Sequence, residues 1–489
     1  MKAIVIGAGV GGLATANRLR AQGFEITVFE ANTYPGGKLT AFTKDGYRFD
    51  AGPSLFTMPH FLDEVFRDCG RHARDYYHYQ RLSVTCNYFY EDGTKLIAYA
   101  DREKFADEVS HQFHVPASSL KNYLERSSRL YESAGRIFTE KPLRDWRTWL
   151  SKPVAKALVR IPEMGLATTL NRFNEKHLRH PKLVQLFNRY ATYNGSDPYQ
   201  APGILSSIPH LEFNVGTFLP EGGMHCITQA LVTLANDQGV SIFYDSPVDE
   251  IVVKDGKAAG VLANGTLHLA DVIVSNMDVY FTWRKLLKNL PAPERTLKQE
   301  RSSSALIFYW GITKTFQQLD LHNIFFAEDY RKEFETLFGK KQIADDPTVY
   351  VNITSKYVPA DAPTGCENWF VMVNVPAIEG QDWDALIEKT RRNILAKLSR
   401  MLNTDVESLI ESESVLDPRA IEMRTQSYKG ALYGSSSNSR YAAFLRQANR
   451  SSSIPNLYFC GGSVHPGGGI PLCLQSAKIT ANLVRKHFH

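Results

Sequence analysis

The chain has 489 residues, of which 43% are apolar and 22% charged, and its formal net charge is +5. The length exceeds what one hydrophobic core serves, so two or three domains are expected, and the composition is that of a folded soluble protein rather than a disordered or fibrous one. The mild positive charge permits attraction to an anionic membrane surface without demanding it, and no basic run interleaved with aromatics points to nucleic acid.

The chain opens on an apolar run, Ala3-Ile4-Val5-Ile6, followed at once by Gly7-Ala8-Gly9-Val10-Gly11-Gly12. A helix is predicted from Leu13 to Gln22, stopped by Gly23, and a second strand, Ile26-Thr27-Val28-Phe29, closes on Glu30. This strand, glycine turn, helix and strand ending in a carboxylate is a dinucleotide-binding pattern. Gly7 permits the tight turn, Gly9 lets a pyrophosphate approach the backbone, and Gly12 lets helix and strand pack closely. The helix amino terminus offers amide hydrogens to the phosphates. Glu30 can accept ribose hydroxyls and disfavours a 2′-phosphate.

Residues 82 to 99 alternate apolar and polar around Asp92-Gly93, a hairpin signal. From 101 to 200 the pattern is helical and rich in aromatics, which reads as an inserted region. Strands return near 240, with hairpin turns at Asp255-Gly256 and Asn264-Gly265, and Ala270 to Asn276 reads as a strand rejoining the nucleotide sheet. Between 281 and 425, the strands Ala305 to Trp310, Thr348 to Ile353 and Trp369 to Val375 fit a second sheet walling a substrate chamber. The last segment is a strand, Leu457-Tyr458-Phe459-Cys460, a glycine-rich loop, and a helix from about Leu472 to Lys486.

No run of about 20 apolar residues occurs, so no transmembrane helix is expected. The first strand stands at the start of the sequence, so no cleaved leader is expected. The six cysteines, Cys69, Cys86, Cys226, Cys366, Cys460 and Cys473, are scattered without a CxxC. Neither a disulfide framework nor a metal site is expected, and a reducing cytoplasm fits.

The glycine fingerprint alone does not separate FAD from NAD. Gly36-Gly37-Lys38, six residues beyond Glu30, resembles the extended FAD motif of the amine oxidase and phytoene desaturase superfamily. Near the other end, the loop from Gly461 to Gly469 places five glycines in nine residues between a strand and a helix. Ordering so many glycines is costly, so backbone wrapped on a ligand is expected there. The helix after Pro471 can turn its positive end toward the electron-rich edge of a reduced flavin.

These motifs, with Phe49-Asp50-Ala51-Gly52-Pro53-Ser54, Leu219-Pro220-Glu221-Gly222-Gly223-Met224 and Gly461-Gly462-Ser463-Val464-His465-Pro466-Gly467-Gly468-Gly469-Ile470-Pro471, resemble bacterial carotenoid desaturases of the phytoene desaturase type from end to end. The resemblance implies an α/β protein: a Rossmann-like FAD-binding domain, a mixed-sheet substrate domain, and an inserted helical, membrane-facing region. On that pattern the FAD-binding domain comprises 1–80, 211–280 and 426–489. A substrate-domain hairpin occupies 81–100, a helical membrane-associated and substrate-access region 101–210, and the main substrate-binding part 281–425. Gly7, Gly9, Gly12, Glu30, Gly37 and Lys38 are implied to hold the adenosine diphosphate half of FAD. Gly52, Gly461 and Gly462 are implied to lie close to the cofactor, and Gly468 and Ile470 near its isoalloxazine.

The implied reaction is FAD-dependent desaturation of a long isoprenoid: hydride leaves an allylic carbon for flavin N5, a proton follows, and oxygen or a quinone takes the electrons. The leaning is toward 3,4-dehydrogenation near the end of a hydroxylated acyclic or monocyclic carotenoid, with phytoene desaturation and, in another class, flavin amine oxidation as alternatives. His465 is the candidate catalytic proton acceptor; the competing reading is that it shapes its loop. Tyr190 and Tyr193, three apart, either line a substrate tunnel or pack in the core. Asp145, Arg147, Arg189 and Asp197 lie at the tunnel or form surface ion pairs. The stretch 146 to 178, with Trp146, Trp149, Leu150, Val154, Ala157, Leu158, Ile161, Met164, Leu166 and Leu170 among Lys152, Lys156 and Arg160, suits an interfacial anchor or a packed lid. The substrate is expected to be drawn from the bilayer by a protein held peripherally on the cytoplasmic face of the membrane.

Overall fold

The computed structural model describes residues 1–143, 146–150, 154, 164–439 and 441–488. Asp145, Lys152, Lys156, Ala157, Leu158, Arg160 and Ile161 lie outside the described residues, as do the side chains of Trp146 and Arg147.

Five parallel strands form one sheet, in the order Ser241–Phe243, Glu25–Phe29, Lys2–Ile6, Val272–Ser275, Leu457–Phe459. The central strands are apolar on both faces because both faces are covered. Ala3, Val5, Val272 and Val274 pack under the helices Val10–Ala21, Cys226–Asp237 and Ile470–Phe488. Ile4, Ile6 and Ile273 face the other way, toward a three-stranded antiparallel sheet, Val248–Lys254, Lys257–Ala263 and Thr266–Leu269. Its two tight turns have positive φ at both central residues, Asp255 (50°) with Gly256 (76°) and Asn264 (48°) with Gly265 (71°). That geometry matches the twist of a two-residue hairpin.

Register brings distant chain ends together. Ile6 lies opposite Phe29 and Ser275, and Ser275 opposite Phe459. The carboxyl ends of three strands, and the turns that follow them at Gly7, Asn276 and Cys460, therefore sit side by side. In an open parallel sheet this edge is where ligands bind.

A second, mixed sheet has seven strands, ordered Ile410–Leu416, Ser304–Ile312, Glu367–Val375, Val349–Ile353, His322–Phe325, Val84–Phe89 and Lys95–Tyr99. One pair, His322–Phe325 with Val84–Phe89, is parallel; the other pairs are antiparallel. Leu306, Phe308, Trp310, Val351 and Val371 point to one face and meet the helix Trp383–Leu402. Ile307, Tyr309, Phe370 and Met372 point to the other, toward Tyr47 and Phe49 of the hairpin Ala41–Lys44 and Tyr47–Asp50.

The helices Arg102–Phe113, Ala117–Leu130, Leu170–Leu178 and Pro181–Asn188 pack through Tyr123, Leu124, Phe173 and Phe187 against the Tyr88 and Ile324 end of that face. Two start on side-chain caps: Asp101 accepts from the Lys104 amide at 2.9 Å and Thr169 from the Arg172 amide at 3.3 Å.

Candidate functional site

The first glycine turn is as tight as its sequence requires. A Cβ on Gly12 would lie 2.1 Å from the Gly7 carbonyl oxygen, so only glycine lets this helix sit on its strand. Gly9 is the helix N-cap; it supplies no side-chain cap, and the first turn carries no acidic residue. The amides of that turn stay available for an anion. Around them the Asn276 side chain fills the space that a Cβ on Gly9, Gly11 or Gly461 would take, with its amide atoms 2.7, 2.8 and 2.6 Å from those positions. Asn276 thus ties the first turn to the carboxyl-terminal loop. Sequence reading placed it only as the end of a strand; its position beside the central strand was the available signal.

Glu30 is buried at the end of the second strand. Its carboxylate accepts the Ala8 amide at 2.7 Å, the Asn32 amide at 2.9 Å and the Asn32 side-chain amide at 2.8 Å. It therefore shapes the phosphate turn as well as presenting an acid where a ribose would lie. The Ser246 amide donates to the Glu30 carbonyl at 2.8 Å, which brings the strand beginning at Val248 alongside. Gly36 forms a parallel bridge to Gly9, and a Cβ on Gly37 would lie 3.6 Å from the Gly9 Cα. Lys38 turns inward and donates to the Leu432 carbonyl at 3.0 Å. Burial lowers its pKa, and the nearby Asp278 opposes that shift.

Two of the sequence motifs lock onto each other. Asp50 accepts the amides of Met224 (2.9 Å) and His225 (3.1 Å) and pairs with Arg48 at 2.9 Å. A Cβ on Gly223 would fall within 2.6 Å of both Arg48 and Asp50. Gly52 is equally constrained, 1.7 Å from the Lys38 carbonyl oxygen by the same measure. Beyond it the chain docks on the second sheet: Tyr309 donates to the Ala51 carbonyl at 2.9 Å, and Ser54 Oγ lies 2.9 Å from Tyr350 Oη. The segment 50–54 is the bridge between the first sheet's helix Cys226–Asp237 and the second sheet.

The carboxyl-terminal loop closes the site. The Gly461 amide donates to Ser476 Oγ at 3.2 Å, and Gly461, Gly467 and Gly469 have φ of 98°, 143° and 104°. A Cβ on Gly468 would lie 2.7 Å from the Tyr433 Cα, and one on Gly462 3.4 Å from the Gly468 Cα. Ile470 is buried at the start of the last helix. The segment Ala431–Gly434, which sequence reading did not single out, therefore lies between Lys38 and this loop. Arg446, also missed, is buried against Gly467 and donates to the Ser435 carbonyl at 2.9 Å; burial pulls its pKa down to about 10. His465 is buried, and its Nε2 donates to the Lys141 carbonyl at 2.7 Å. The Asn449 side chain donates to the His465 carbonyl at 2.9 Å.

Tyr190 is fully enclosed, its ring among Phe187 and Phe213 and its hydroxyl donating to Glu212. Tyr193 is half-buried, its ring 5.3 Å from that of Tyr190, and its hydroxyl has no partner among the described residues. Arg189 lies over both rings, bonds Tyr88 Oη at 2.9 Å and pairs with Glu212 at 3.3 Å. Its ion pair is internal rather than on a solvated face. Asp197 binds the Tyr199 amide and the Gln200 side chain, a turn-forming role.

A first helical turn without an acidic residue, the buried Glu30 carboxylate at the end of the second strand, and glycine backbone in the turns at Gly7, Gly36 and Gly461 fit a flavin dinucleotide. The fold and site define a dinucleotide-binding protein with a second, separate sheet. Residues 10–485 match the model of the flavin containing amine oxidoreductases, and the chain belongs to that family, with FAD as its cofactor. The chain is 53% identical over 483 residues to a 1-hydroxycarotenoid 3,4-desaturase of Flavobacterium sp. (strain P99-3), covering 99% of each chain. It is 33% identical to a 4,4'-diapolycopene oxygenase of Methylomonas sp, covering 99% of this chain and 98% of that one. Among solved structures, wild-type putrescine oxidase bound to putrescine shares the fold, with a TM-score of 0.65 at 15% identity and 99% coverage of each chain.

Proposed function

We propose that this protein is a FAD-dependent carotenoid desaturase that introduces a 3,4 double bond near the end of a hydroxylated acyclic or monocyclic carotenoid. The observation that carries this reading is the full-length 53% identity to a 1-hydroxycarotenoid 3,4-desaturase. Bound FAD would supply the two-electron acceptor, with oxygen or a quinone as the proposed final oxidant. Gly7, Gly9, Gly12, Glu30, Gly37 and Lys38 hold the dinucleotide half; Gly52, Gly461, Gly462, Gly468 and Ile470 surround the reacting end. The protein's own contribution is mainly positional, since a polyene offers few polar handles for acid–base chemistry. His465 acts as a positioning residue, holding the glycine loop to Lys141.

The same reading gives the substrate a route. Phe444 meets the Phe138 ring edge-on (5.8 Å) and the Trp149 ring at a tilt (5.9 Å), and it lies 41% exposed beside Trp149 at 38%. Leu150 (76%) and Tyr441 (62%) extend this apolar surface. Large apolar side chains gathered on one exposed patch suit insertion into a bilayer interface. Among the described residues no helix is long and apolar enough to cross a membrane, so the proposed contact is peripheral.

The test is expression in cells that make either a hydroxylated γ-carotene or phytoene, with pigments resolved by absorption and mass. Loss of two mass units from the hydroxylated carotenoid alone is the expected result. Red product from phytoene overturns it in favour of phytoene desaturation.

A further inference from the structure

Across the substrate sheet, one face reads Ile307, Met372, Tyr350, Ile324 and Tyr88 in register, and beside it Tyr309, Phe370, Asn352 and His322. The floor is apolar at most positions, as a hydrocarbon chain requires. It carries a polar island on adjacent central strands, made by Tyr350, Asn352 and His322, beside the Arg189–Glu212 pair that holds Tyr88. Tyr350 is partly exposed although it stands on a central strand, so the island meets internal space at the Tyr350 ring, while Asn352 and His322 are buried.

The hydrogen bonds of the island fix its tautomer. The Asn352 side-chain amide donates to the Leu321 carbonyl at 3.0 Å, which identifies its nitrogen, and the same nitrogen lies 3.2 Å from His322 Nδ1. Tyr350 Oη lies 2.7 Å from His322 Nδ1 and 2.9 Å from Ser54 Oγ. Nδ1 is therefore an acceptor, and in the neutral ring the proton sits on Nε2. His322 is only 3% exposed, and Nε2 has no hydrogen-bond partner among the described residues. A buried donor left unpaired costs free energy that a matching ligand acceptor would recover.

We propose that His322 Nε2–H is the specificity element that donates to the hydroxyl oxygen of the carotenoid end group. This rests on the desaturase reading above and names the part of that site which reads the substrate. In a 1-hydroxy, 3,4-desaturated end group the hydroxyl-bearing carbon is two carbon–carbon bonds from the nearer reacting carbon. The group that reads the hydroxyl must then stand close to the reacting flavin edge. His322 is tied to that side of the site through Tyr350 and Ser54, because Ser54 belongs to the bridge that begins at Asp50 and passes Gly52. A phytoene desaturase, whose substrate is a pure hydrocarbon, has no use for such a donor.

The test uses the FAD-loaded protein on vesicles holding either a 1-hydroxy carotenoid or the same carotenoid without the hydroxyl. The wild type is expected to favour the hydroxylated compound by about ten- to a hundredfold in kcat/KM. In His322→Phe and His322→Leu this ratio falls to near one, while His322→Gln, which keeps an N–H donor, retains most of it. A ratio in the Phe and Leu variants equal to that of the wild type overturns the proposal. Should neither variant retain flavin, wild-type discrimination decides, and a ratio near one overturns the proposal while leaving desaturation intact. A wild type that oxidises neither compound but acts on phytoene overturns the desaturase reading itself, and this inference with it.

Discussion

The imidazole of His465 and the backbone of Lys141 are 324 residues apart in sequence and 2.7 Å apart in space. The bond joins the glycine loop at the carboxyl end to the segment that leads into the exposed aromatic patch of Phe138, Trp149 and Phe444. A donor to a fixed carbonyl orients a loop; it does not offer that nitrogen as a base. Replacing His465 with Phe is expected to lower kcat about tenfold through looser positioning, with the shape of the pH–rate profile kept. A pH–rate profile that loses a limb in the variant would instead make His465 the proton acceptor.

Glu30 holds the first glycine turn through the Ala8 amide, and the proposed function makes it the ribose acid. In Glu30→Ala the buried Ala8 amide loses its acceptor, and a missing buried hydrogen bond costs about 1–3 kcal/mol. FAD retention should fall about tenfold or more, read as the flavin-to-protein absorbance ratio after gel filtration. An unchanged ratio counts against Glu30 as the ribose acid.

What the sequence made legible was local or came in a fixed motif. The opening strand, glycine turn, helix and Glu30 lie within 30 residues, and the hairpins at Asp255-Gly256 and Asn264-Gly265 announce themselves by turn chemistry. The order of the second sheet was not legible, because pairs such as Ile324 with Tyr88 join distant segments with no turn between them. Asn276 and Arg446 belong to no spacing rule; their roles arise from the turns that register gathers around them. Tyr190 and Tyr193 share a helical side, yet only Tyr193 keeps an unpaired hydroxyl, since Glu212, 22 residues on from Tyr190, folds back to take the Tyr190 hydroxyl. His322 drew no attention, because a lone histidine in a strand carries no motif.

His322 also gives the fold an acid sensitivity of defined sign. Burial first, and the Arg189 charge second, pull its pKa from an ordinary 6.5 down to about 3. Between those values the unfolded chain takes up a proton that the folded chain refuses. The stability contributed is therefore full above pH 6.5 and is lost as pH falls, by about 1.4 kcal/mol per unit. His322→Gln should lose less stability than the wild type between pH 7 and pH 5, by about 2 kcal/mol from urea midpoints. Equal losses in the two proteins would show that His322 is already charged or solvated in the folded state.

The exposed patch makes the last prediction quantitative. Leu150 and Phe444 are each large, apolar and accessible, and burying such a side chain in a bilayer is worth about 1.5–3 kcal/mol. Replacing both with Glu removes that gain and adds charge where an interface is least tolerant of it. Vesicle binding of the double variant, measured by co-sedimentation, should weaken by at least about a hundredfold. Flavin content should stay at the wild-type level, because neither side chain approaches the glycine turns or Glu30. Binding that survives both substitutions would move the membrane contact elsewhere on the surface. Loss of binding together with continued turnover of detergent-dispersed carotenoid would separate delivery of the substrate from its oxidation.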